Sequence, residues 1–199
     1  MAVRVDIFNS AAGHAGSGAV LASAEEDGAV ARELRRHYPQ ARDTLFAEFP
    51  WTWARRVTTA TAVAVPPAGF TYAYPVPDGC AEVRKVTQTA EDTAGPIDFR
   101  LGGDTDSNGI DRSLILTQQP ALYVTWTRIV VNEALWPPPF ANAVSWRLAA
   151  LAGSAINRDG FRRQECWQQA AYWFGIAQAQ DQRQGRMAPR DAEIIRGRA

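Results

Sequence analysis

Residues 26–56 read EDGAVARELRRHYPQARDTLFAEFPWTWARR. Apolar side chains fall at Val30, Leu34, Tyr38, Ala41, Leu45 and Phe49, the spacing of one face of an α-helix. Asp27 stands where an N-cap is expected. Pro39 lies inside the pattern; it removes one backbone donor and crowds the carbonyl four residues back. A kink or restart is therefore predicted near His37–Pro39. Pro50 closes the helix, because the residue before a proline is disfavoured in helical geometry. A charged helix stopped by Pro-Trp-Thr-Trp matches no catalytic motif. It reads as architecture.

On its N-terminal side, Val3–Ala12 is predicted as a short helix with Val3, Ile7, Phe8 and Ala11 on one face, followed by a Gly/Ala/Ser loop over Gly13–Ala24. On its C-terminal side the signals change. ARRVTTATAVAV (54–65), FTYAYPV (70–76), EVRKVTQ (82–88), PIDFRL (96–101), LILT (114–117) and ALYVTWTRIVV (121–131) are short strand-like runs parted by Asp, Gly, Asn and Pro. Such runs suggest a small antiparallel sandwich or barrel. Leu122–Val131, apolar or aromatic on both faces, suits a central strand.

After LWPPPF (135–140) the helical period returns, with Phe140, Val144, Leu148, Leu151 and Ala155 on one face. Arg158-Asp159-Gly160 reads as a turn, and Phe161–Gln184 as a last helix facing inward through Trp167, Ala170, Ala171, Phe174 and Ala177. The expected fold class is α+β: a helical-bundle domain with an inserted small antiparallel β-sandwich or barrel domain. The expected boundaries are 1–53 plus 137–184 for the discontinuous helical domain, 54–136 for the β insertion and 185–199 for a polar C-terminal tail.

Composition narrows the function. At 199 residues, 46% apolar and 21% charged, the chain can bury a core. Its net charge is +0, which argues against a protein that coats nucleic acid by neutralising phosphates. Lys85 is the only lysine. Cys80 and Cys166 belong to no CxxC pattern and read as free thiols. Ala22-Ser23-Ala24 imitates a signal-peptidase site, but Asp6, Asn9, Ser10 and His14 interrupt any apolar h-region. No apolar run is long enough to predict a membrane span.

Candidate chemistry is sparse. Asp104, Asp106, Asn108 and Gly109 resemble the first half of an EF-hand loop, but Ile115 stands where the bidentate Glu belongs, so a turn is the better reading. His14, His37, Cys80 and Cys166 form no zinc-ligand spacing, and His37 reads as solvated beside Arg35 and Arg36. The acid pairs Glu25/Glu26 and Glu91/Asp92 sit in polar, loop-like sequence. No catalytic residue, cofactor or metal site is expected.

Tryptophan is abundant, with 7 residues. Core packing is the expectation for Trp126, Trp146 and Trp173. Trp51, Trp53 and Trp136 flank the prolines between the two domains, where core and interface are both open; they are candidate interface residues. In the tail, Arg186, Arg190 and Arg196 with the apolar pair Ile194-Ile195 form a candidate docking arm.

Three segments carry a resemblance: EDGAVARELRRHYPQARDTLFAEFPWTWARR (26–56), GFTYAYPVPDGCAEVRKV (69–86) and LYVTWTRIVVNEALWPPPFANAVSWRLAALAGSAI (122–156). In order and spacing the chain resembles the tail tubular protein A family, the head-to-tail adaptors or gatekeepers of short-tailed phages. The likeness runs from about Val5 to Ala179, and does not extend to Asp104–Asp111 or the tail.

The resemblance implies a structural virion protein, made in the host cytoplasm and residing in the neck. It implies a ring of about twelve copies beneath the portal that continues the DNA channel. The implied partners are the portal ring, the tail nozzle or tail tube protein, and other copies of the chain. DNA passes without specific binding, and no membrane or catalytic step is involved. Rival readings are another ring component of the neck or tail, such as a terminator, a tail-associated cell-wall hydrolase, and an unrelated binding module with a Trp-lined groove.

Overall fold

The computed structural model describes residues 3–90, 95–105, 109–120, 123–158 and 160–185. Among these the chain forms four α-helices and six strands, an α+β fold of a helical unit and a small β unit. The helical unit comprises the chain up to Trp53 and from Val130 on; the β unit is Ala54–Ile129. Val130–Trp136, expected with the β insertion, thus belongs with the helices.

In the helical unit, α1 is Arg4–His14 and α2 is Ala29–Glu48. Gly28, not Asp27, occupies the N-cap of α2, and Asp27 instead pairs with Arg32 at 3.3 Å. The restart expected near Pro39 does not occur: α2 continues through the proline as one helix. A proline forfeits a single donor, whereas Ala31, Leu34, Tyr38, Ala41 and Leu45 are buried on both sides of it. The Gly/Ala/Ser loop between α1 and α2 is tied down. Asn9 exchanges two hydrogen bonds with the Leu21 backbone, at 2.8 and 3.0 Å, and Arg35 donates to the carbonyls of Ala24 and Glu26.

A 3₁₀ turn at Glu133–Leu135 leads into α3, Pro138–Ile156, whose prolines occupy the first helical turn, where their missing N–H groups cost nothing. α3 packs on α1, α2 and α4 (Arg163–Gly185). Its burial accordingly runs nearly all round, through Ala141, Ala143, Val144, Ser145, Leu148, Ala149 and Ala152, while Ala155 is exposed. The inward face of α4 is Cys166, Ala170, Ala177 and Asp181; Trp167 and Ala171, expected inside, are exposed.

The β unit is two three-stranded antiparallel sheets. In one, β6 (Tyr123–Arg128) lies between β1 (Arg55–Thr59) and β3 (Cys80–Thr87). In the other, β5 (Asp111–Thr117) lies between β2 (Tyr72–Pro75) and β4 (Arg100–Thr105). Tyr74 and Ile115 of one sheet share a core with Val83, Val86, Val124 and Trp126 of the other, which makes the unit a sandwich. β4 starts later than PIDFRL suggests and continues through Gly102-Gly103, pairing Asp104 with Arg112 and Thr105 with Asp111. At Gly102 any Cβ would press on Leu116 of the facing strand.

Candidate functional site

Phe140, at the start of α3, is the centre of an aromatic cluster in the helical unit. Phe46, Trp51, Trp53 and Trp136 surround it at ring-centroid distances of 4.8, 5.0, 5.2 and 5.2 Å. Their tilted and edge-to-face geometries are the favoured ones for π systems. Phe174 of α4 meets Trp51 from the other side at 5.8 Å.

Two of these indoles also close the backbone. Trp51 Nε1 donates to the Leu45 carbonyl at 2.8 Å, in the last turn of α2. Trp136 Nε1 donates to the Val130 carbonyl, also at 2.8 Å. The Pro-Trp stop therefore folds the chain back under the helix it ends.

Beside the cluster sit two charged anchors. The Asp181 carboxylate, 4% exposed, accepts from the backbone N–H of Thr52 at 3.0 Å and from its hydroxyl at 2.8 Å. Glu133 Oε1 accepts from Tyr38 Oη at 2.7 Å and Arg4 Nε at 2.9 Å. The guanidinium groups of Arg4 and Arg42 lie over the Tyr38 ring at 5.3 and 5.6 Å. Burial alone pushes the Glu133 carboxyl up, but the hydrogen bonds from Tyr38, its own backbone and Arg4 prevail and hold it below the usual range. Burial, and then the bond to Glu133, raise the Tyr38 phenol.

The candidate interface residues separate into three groups. Trp51 and Trp136 are 1% and 4% exposed, so their indole surface is enclosed in the helical unit and is not offered to a neighbour. That corrects the interface expectation for both. Trp53 is half-buried, and its Nε1 is enclosed without an acceptor among the described residues. Arg186, Arg190, Ile194, Ile195 and Arg196 lie outside the described residues, as do Asp106, Asn108, Glu91, Asp92, Asp159 and Leu122.

Of the residues expected in the core, Trp126 is buried, Trp173 is half-buried, and Trp146 stacks on His14 with centroids 3.5 Å apart. His37 lies 3.9 Å from Glu33 on the half-exposed side of α2. Cys80 and Cys166 are free.

Sequence reasoning did not find Asp181, Glu133 or Arg4. Thr52 and Asp181, like Arg4 and Glu133, are 129 positions apart, and no local spacing links them. The one available signal was a lone acid within the otherwise neutral run of α4.

The β unit carries open depressions. One of 570 Å³ is lined by Val63, Pro66, Pro67, Asp104, Thr105 and Arg112, and its charges are paired, Arg112 to Asp104 at 2.9 Å. Among the described residues no three His, Cys, Asp or Glu side chains converge as a metal site, and no helix is long and apolar enough to cross a membrane. No family model matches the chain, and no curated protein matches it significantly.

Proposed function

We propose that the chain is a structural ring subunit of a phage neck, a head-to-tail adaptor that sits beneath the portal and continues the DNA channel towards the tail nozzle. The observation that carries this reading is the anchoring of both chain passages at the edge of the helical unit. The outgoing passage is held by Trp51 and by Thr52 on Asp181; the returning passage is held by Glu133 and Trp136. Closed rings require every copy to present its surfaces alike, so a helical unit whose chain ends are held in place favours closure. The resemblance in 26–56, 69–86 and 122–156 supports the same reading, and these segments contain most of the anchoring residues.

The role is non-catalytic. Copies bury surface against one another and against the portal, and a chain of zero net charge leaves DNA free to move through the lumen. The segment 185–199 docks on the portal through Ile194-Ile195 and its arginines.

Order of addition tests the proposal. Portal rings, the chain and the purified nozzle protein of the same phage are mixed in turn and sedimented. The nozzle should join the portal only after the chain has been added. A nozzle that binds bare portal equally well, with the chain left at the top of the gradient, overturns the adaptor role.

A further inference from the structure

We draw no further inference here: the strongest candidate, the open groove of about 480 Å³ between the edge strands β3 and β4, lined by Val76, Cys80, Val83 and Leu101, carries nothing in the structure that shows what covers it.

Discussion

Asp181 of α4 holds both polar groups of Thr52, accepting from its backbone N–H at 3.0 Å and its hydroxyl at 2.8 Å. The carboxylate is buried, so it depends on these donors for what water no longer supplies. Asp181→Ala should destabilise the helical unit by about 3 kcal/mol, since hydrogen bonds to charged groups are worth about 1.5–3 kcal/mol and an orphaned N–H remains. Thr52→Val, which keeps the shape and the backbone bond, should cost about half as much. Urea unfolding followed by Trp fluorescence measures both; equal and negligible effects would remove Asp181 as an anchor.

Two groups lower stability as the pH falls, and their signs agree. Burial lowers the His14 pKa from 6.5, so the unfolded chain takes up a proton that the folded chain resists. That contribution is complete above about pH 6.5 and declines as the pH falls below it. The Glu133 pKa is lowered from 4.5, so its contribution is present above about 4.5 and is lost as the pH falls through the folded value. Unfolding free energy against pH should therefore fall in two phases. His14→Phe, which preserves the stack on Trp146, should remove the first, and Glu133→Gln the second.

Gly153, inside α3, faces the ring of Phe161, and a Cβ there would overlap that ring. Alanine is the better helix former by about 1 kcal/mol. Packing should reverse that preference: Gly153→Ala is expected to destabilise by about 1–3 kcal/mol. Adding Phe161→Leu should recover most of the loss. A stabilised single variant in thermal unfolding would contradict the close approach.

The β unit should fold by itself. Its ends are paired within it, Arg128 N–H to the Ala54 carbonyl at 2.9 Å and Ile129 N–H to the Gly79 carbonyl at 2.8 Å, and its core from Tyr74 to Trp126 is internal. A fragment spanning 54–129 should give a β-type circular dichroism spectrum and a cooperative melt. A random-coil spectrum would show that the sandwich needs the helices.

Much of this architecture was legible in the sequence because it follows from local periodicity. The 3.6-residue spacing from Val30 to Phe49 marks α2, and the short Val/Thr/Tyr runs mark the sandwich. What was hidden has physical causes. Pro39 reads as a kink or restart, but buried residues on both sides carry α2 through it without a restart. The inner face of α4 was misjudged because neutral residues surround that helix on every side, leaving no contrast to orient it. Gly102-Gly103 disguised the second half of β4, since glycine is a poor strand former and only its approach to Leu116 explains it. Trp51 and Trp136 were visible as special, but whether an indole faces inward is decided by partners such as Phe140, far away in the chain.

The central claim is the ring, and the most direct measurement is mass. Portal rings of the same phage, saturated with the chain and separated from excess, are weighed by light scattering. The account predicts an increase equal to a whole ring of 21.8 kDa chains, lost when the chain ends at Gly185. A portal of unchanged mass beside a monomeric chain would contradict it.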